Sequence, residues 1–172
     1  MDRRSFVVSF AGLSAAAGSA FAQTDTKAAM GPMEEAEKKH ILDTLQVGTM
    51  SLEASRLAVS RAKEANVKQF ANFEVAEQET VGGILKPLAA GGPPVDPMQA
   101  GLMKKLEGAG GDFDRDYVQA EIEGHNKLLQ IQEAYISVGR NQSQVDIAKL
   151  VRGMIKEHLT LLADIDKGGM RG

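Results

Sequence analysis

Four stretches of this chain repeat their inward-facing residues at alternating steps of three and four, and none alternates at steps of two. That spacing limits the fold to packed amphipathic helices. The first stretch runs Ile41, Leu45, Gly48, Leu52, Ser55, Val59 and Ala62. After a brief break at Ala65-Asn66, the second runs Val67, Phe70, Glu74, Glu77, Val81, Ile84 and Leu88. The third reads Phe113, Tyr117, Ala120, Gly124, Leu128, Ile131, Tyr135 and Val138. The fourth reads Val145, Ala148, Val151, Ile155, His158, Leu162 and Ile165, and Gly168-Gly169 ends it. Glu34, Glu35 and Glu37 in the first turn suit the positive end of a helix dipole. Asp112 is expected to cap the third helix, with Asp114 and Asp116 in its opening turn. The Gly- and Pro-rich run from Ala90 to Pro97 breaks the pattern, because proline lacks a donor and glycine favours no one conformation. A short helix from Met98 to Leu106 and a second glycine break, Gly108 to Gly111, complete a long middle connection. Residues 34–168 are therefore expected to form one all-α domain, an up-down four-helix bundle. Its short first and last connections join antiparallel neighbours, and the segment between the second and third long helices acts as a crossover.

The N-terminus has a different character. Arg3-Arg4 is followed by Phe6, a run rich in Ala, Gly and Ser, and Ala20-Phe21-Ala22. A basic start, an apolar middle and a small-x-small end are the layout of an export signal, and adjacent arginines point to the twin-arginine route. Residues 1–22 are read as that signal, with Arg3, Arg4, Phe6, Ala20 and Ala22 as its working positions. The alternative is a retained anchor, for which a run of small residues from Phe6 to Ala22 is short and weakly apolar. Residues 23–33, with Gly31-Pro32, read as a flexible tether. The expected location is the periplasm or the exterior of a bacterium. The export machinery is then a partner, and the mature chain has no stable membrane span.

Removing the first 22 residues leaves 150, with 18 basic and 22 acidic side chains. That mildly acidic balance argues against nucleic acid as a partner, since such binding rests on clustered Lys and Arg. The chain has no cysteine, which excludes disulfides, thiolate metal sites and cysteine nucleophiles. It has no Trp, two Tyr and six Phe, so its core must be mainly aliphatic. No nucleophile motif is present, and no glycine-rich segment follows a strand, so phosphate-loop readings fail.

Chemistry is left to a few polar residues on the inner faces. Glu74 and Glu77 occupy seam positions of the second helix, beside Gln78. His158 lies on the seam of the fourth, His125 borders that of the third one turn after Glu121, and Glu53 adjoins Leu52 on the first. At about 1.5 Å per residue, Glu53, Glu77 and Gln78 fall roughly 17–18 Å below the first turn, and His125 and His158 roughly 22–24 Å below the second. All four helices thus offer a ligand-capable group near one mid-bundle layer, while His40 lies towards the opposite end. Imidazole and carboxylate suit iron, manganese or zinc. One reading therefore places a single such ion on Glu53, Glu77, His125 and His158. The competing reading makes these groups hydrogen-bonding partners that fix helix register, or leaves Glu53 and Glu74 facing solvent. The di-iron signature of Glu-x-x-His on two helices is absent: Ile155 stands three residues before His158, and the second helix carries Glu74-x-x-Glu77.

Gly111-Asp112-Phe113-Asp114-Arg115-Asp116-Tyr117 followed by Gly124-His125 resembles the Phe-Asp-x-x-Tyr…His pattern of a bacterial exported family of unknown function. Members of that family are described as periplasmic or outer-membrane proteins. Val67-Lys68-Gln69-Phe70-Ala71 is similar to its second-helix start and Glu157-His158-Leu159 to its last-helix motif, so the resemblance spans about residues 35 to 166. It implies a ferritin-like fold. The family's acidic-His pair on the second helix reads Glu77-Gln78 here, and its first-helix Glu falls on Ser51. Sequence and resemblance together lead to an exported, non-enzymatic helical protein with a role in envelope or stress physiology. The alternatives are a metal-binding or redox protein using the His/Glu layer, and an interaction module using the first helix or residues 90–111.

Overall fold

A computed structural model describes residues 33–89, 92, 97–109 and 113–169. The expected signal peptide with Arg3, Arg4, Phe6, Ala20 and Ala22, the tether as far as residue 32, and the Asp112 cap lie outside these residues. Five helices and no strand occur among the described residues: α1 Glu35–Arg61, α2 Ala65–Leu85, α3 Pro97–Gly108, α4 Phe113–Val138 and α5 Gln142–Gly169. A single 3-10 turn, Lys86–Leu88, follows α2. The result is an all-helical bundle. Its α1 packs along α2 and α4, α4 packs along α5, and α3 rests on α1 and α4. None of the described helices is long and apolar enough to cross a membrane.

Helix boundaries follow local chemistry. The break between α1 and α2 falls at Ala62–Glu64, slightly before Ala65-Asn66, and Glu64 has extended backbone with no side-chain cap of its own. The carboxylate of Asp114, from the first turn of α4, accepts the backbone N–H groups of Lys63 at 2.9 Å and Glu64 at 2.7 Å. Asp114 therefore anchors the start of α4 to the α1–α2 turn, as well as suiting its own helix dipole. Proline at the first position of α3 forfeits only an N–H that would have no helical partner. At the other end of α3, the Arg61 guanidinium donates to the carbonyls of Leu106, Glu107 and Ala109. These are carbonyls the helix cannot satisfy itself, and Arg61 also lies 4.6 Å from the centre of the Phe113 ring. Asn141 caps α5 by accepting the Gln144 N–H, and it donates to the buried Glu37 of α1.

The apolar core is interrupted. One cluster gathers Ala58, Phe70, Leu106, Phe113, Tyr117 and Leu162 at the α1–α2 turn, over which α3 closes. Others hold Ile41, Leu45 and Leu85, and Leu128, Val151 and Ile155, further along the bundle. Between them on α1, α2, α4 and α5 lie buried Ser51, Glu74, Glu121, His125 and His158. The faces expected for α1 and α5 are inward almost throughout, but those of α2 and α4 slip. Ile84 is 46% and Val138 59% exposed, while Leu85 and Gln132 are fully buried. A repeat of 3.5 drifts about 20° per heptad on a straight helix of 3.6 residues per turn. Late in a helix, the seam therefore passes to the next residue.

Replacing Asp114 by Ala should cost about 1 kcal/mol, the usual value of a helix cap. A lower urea midpoint with an unchanged slope, followed by circular dichroism, would show this. An unshifted midpoint would mean that the two N–H groups are served equally well by water.

A buried glutamate and two histidines

Glu74, His125 and His158 project from α2, α4 and α5 into the polar layer, exposed by 0%, 1% and 6%. Glu74 Oε2 lies 2.9 Å from His158 Nδ1 and 3.4 Å from His125 Nε2, and the two ring nitrogens are 3.0 Å apart. One oxygen and two nitrogens thus form a triangle with edges of 2.9–3.4 Å. Ligands held about 2.1 Å from one cation at octahedral or tetrahedral angles stand about 3.0–3.4 Å apart.

Each ring is oriented from its far side. His125 Nδ1 lies 2.8 Å from the Glu121 backbone carbonyl. A carbonyl only accepts, so Nδ1 carries a proton and Nε2 is the nitrogen that faces the triangle. His158 Nε2 lies 3.0 Å from Glu77 Oε2. That contact is within ion-pair reach but off the N–H direction, since Glu77 Oε2 makes no hydrogen bond. Phe70 packs against both imidazoles, its centroid 6.0 Å from that of His125 and 5.1 Å from that of His158.

The carboxylate of Glu74 is held asymmetrically. Its Oε1 accepts hydrogen bonds from Ser51 Oγ and Gln78 Nε2, both at 2.7 Å. Its Oε2 is buried among the imidazoles without a hydrogen-bond partner. Gly48 leaves room for this arrangement, because a Cβ there would come within 2.5 Å of Gln78 Oε1. Ser51 Oγ also contacts Glu121 Oε2. One hydroxyl hydrogen cannot serve two carboxylates, so one of the two acids must itself be a donor. Electrostatics select Glu121. Its complete burial and the nearby charge of Glu74 hold its carboxyl protonated well above the usual range. Glu121 then donates to Ser51, and Ser51 donates to Glu74. Burial favours the neutral acid at Glu74, but the adjoining imidazoles of His125 and His158, with the Ser51 bond, outweigh it and hold the carboxyl well below its usual range. For His158, burial opposes the charged form, yet Glu74 and Glu77 outweigh it and raise the imidazole above its ordinary value. Below the cluster, Ser55 shares a 2.8 Å hydrogen bond with the buried Tyr117 hydroxyl.

Of the four residues singled out from sequence, His125 and His158 meet directly and Glu77 touches the outer nitrogen of His158. Glu53 does not come near them. It is half exposed on the outer face of α1 and pairs with Arg56 at 2.7 Å. Two positions on a helix turn the side chain by about 200°, so Ser51 faces inward where Glu53 cannot. Glu74, a seam residue by spacing that the competing reading left facing solvent, is the acid in the triangle, and Glu121 is its protonated neighbour. The seam spacing that included Glu74 was the available signal; comparing heights to within one helical turn put Glu77 nearer the histidines. His40 belongs to a separate group, where it hydrogen-bonds Gln132 at 2.7 Å and stacks on Tyr135.

These features define a helical bundle with a buried carboxylate–imidazole cluster. The chain belongs to the DUF4142 family, a domain of unknown function, whose model matches residues 22–165. A search among curated proteins gave no match. A crystal structure of a DUF305 fragment from Deinococcus radiodurans is similar in fold, with a TM-score of 0.68 over 80% of this chain and 99% of that one. The two sequences are 13% identical, so the likeness concerns the fold alone.

The cluster predicts how stability of metal-free protein varies with pH. Raised folded values at Glu121 and His158 contribute stability that is full below their unfolded values, about 4.3 and 6.5, and is lost as pH rises through the folded ones. The depressed value at Glu74 contributes stability above about 4.3 that is lost as pH falls through its folded value. Chemical denaturation of metal-free protein should therefore show greater stability in mild acid than above neutrality. Glu121→Gln, which keeps a donor towards Ser51, should flatten the alkaline side. An alkaline limb equally steep in that variant would rule out a protonated Glu121.

Proposed function

We propose that this protein is an exported metal-binding helical bundle, with Glu74, His125 and His158 as the protein ligands of a single iron, manganese or zinc ion. The observation carrying this reading is Glu74 Oε2, a buried carboxylate oxygen with no hydrogen bond that sits within 3.4 Å of two imidazole nitrogens. Ser51 and Gln78 serve the other oxygen of this carboxylate, and a cation at the triangle would engage Oε2 and both ring nitrogens together. Glu77 would then orient His158 from outside, in the manner of the carboxylates that hold metal-bound histidines. When bound, the ion would supply a Lewis-acidic or redox-active centre. The chain's own residues orient the donors, exclude bulk water through Phe70, and keep a proton on Glu121.

The wider reading is an up-down four-helix bundle of ferritin-like type formed by residues 34–168, with the segment after α2 as crossover. It is supported by the pairwise packing of the four long helices and the likeness to the DUF305 fragment. Export through the twin-arginine route, cleavage after Ala22 and a periplasmic or secreted location are supported by the Arg3-Arg4 layout. A bundle without cysteine can finish folding before export and could take up its metal there. An envelope or stress role remains part of this proposal through the resemblance of the exported family.

Elemental analysis of protein purified from its native compartment tests the metal reading. The expected result is one transition metal per chain, lost in the His125→Ala, His158→Ala double variant and retained in Glu53→Ala. Bound metal should also reverse the pH trend of the metal-free protein, because it displaces protons from its ligands. At a free metal concentration of about 100 times Kd, the gain in stability is about 2.7 kcal/mol. A metal-free native protein that also fails to bind iron, manganese or zinc on titration would leave the cluster as a register-fixing network.

A further inference from the structure

Beside the cluster lies a cavity of about 20 Å3, and half of the residues around it are polar: Thr44, Glu77, Gln78, His125 and His158. A space of about 10–15 Å3 admits one water molecule, provided that about two to four polar groups meet it. Both conditions hold here. Glu77 Oε2 is a buried acceptor with no hydrogen bond. His158 Nε2 stands 3.0 Å from that oxygen without hydrogen-bonding it, so its N–H aims elsewhere. Thr44 Oγ1 accepts from Gln132 Nε2 at 3.0 Å, which leaves its hydroxyl hydrogen to donate. One acceptor and two donors thus belong to residues that border a single water-sized space. That space is not a fourth coordination position of the triangle. A fourth ligand at tetrahedral angles would stand about 3.4 Å from Glu74 Oε2, yet Glu74 does not line the cavity.

We infer that this cavity is a binding site for one water molecule, which accepts from His158 Nε2–H and Thr44 Oγ–H and donates to Glu77 Oε2. The water turns a misaligned contact into two aligned hydrogen bonds. A water that bridges two protein groups is nearly as good enthalpically as a direct bond between them. It ties α1, α2 and α5 together at the level of the cluster and makes the hold of Glu77 on His158 an indirect one. Outer partners of an imidazole, water among them, fix the orientation of its ring. The bridge needs no metal, so it stands or falls separately from the metal reading.

Protein shown by elemental analysis to be metal-free provides the test. A high-resolution crystal structure of it should show one ordered water within hydrogen-bond distance of both His158 Nε2 and Glu77 Oε2. In solution, magnetic relaxation dispersion of oxygen-17 and deuterium in water counts buried molecules that exchange slowly, and nitrogen-15 spectra report on the imidazoles. Val151→Ile and, separately, Val81→Ile fill the space from α5 and α2, since both residues line it. Each folded variant should lose about one slowly exchanging water relative to the unaltered protein. Each should also move the His158 Nε2 resonance, while that of His125 Nδ1, set by the Glu121 carbonyl, stays in place. A dry cavity in the crystal, or a water count and a His158 resonance unchanged in a folded variant, would overturn the bridge. If neither variant folds, the crystal structure of the unaltered protein decides alone.

Discussion

The arrangement of the middle of this bundle depends on one buried negative charge. Withdrawing a carboxylate from water costs several kcal/mol unless its surroundings replace the lost solvation. At Glu74 that replacement comes from four helices: Ser51 of α1, Gln78 one turn along α2, and the imidazoles of α4 and α5. The demand spreads outward. Gly48 must remain small to let the Gln78 amide in, and Glu121 must keep its proton, because Ser51 cannot donate to two anions. Register among four helices is consequently tied to one side chain.

Aliphatic packing on both sides gives that charge its influence. The cluster under α3 and the clusters near Leu85 and Leu128 keep bulk water from the polar layer. In such surroundings charges interact more strongly than at a surface. The exposed Arg56 pairs with Glu53 and Glu79 contrast with this: they are solvated and screened, and worth little individually. With no disulfide available, tertiary fixing comes from polar groups that close helix ends. Arg61 closes the end of α3 and Asp114 the α1–α2 turn, both from other elements.

Much of this was legible along the chain. The three-four spacing identifies the four long helices, and His125 and His158 stand out because imidazoles rarely occupy an otherwise aliphatic seam. The choice among the acids was not legible. Glu53, Glu74 and Glu77 are chemically alike and lie within about a turn of one layer if the two connections are level. Which acid points inward depends on helix rotation, and drift between a 3.5 spacing and a 3.6 helix reaches about 60° over three heptads, more than half of the roughly 100° between neighbouring residues. The same drift puts Leu85 inside in place of Ile84, and Gln132 deeper than Ile131. The position of Ser51, where the resembled family carries an acid, looked like a loss; in the folded chain its hydroxyl links two carboxyl groups.

By itself, then, the sequence determined what periodicity and composition control: helices, their approximate ends, a core without disulfides, and two histidines directed inward. Tertiary structure decided what distance and environment control. It selected Glu74 over Glu53 as the acid beside the histidines, separated an ionised glutamate from a protonated one, and left an atom-scale space against the imidazoles. These follow from rotations and translations between helices, which no residue specifies alone. They arise only when four helices pack and each buried polar atom must find a partner.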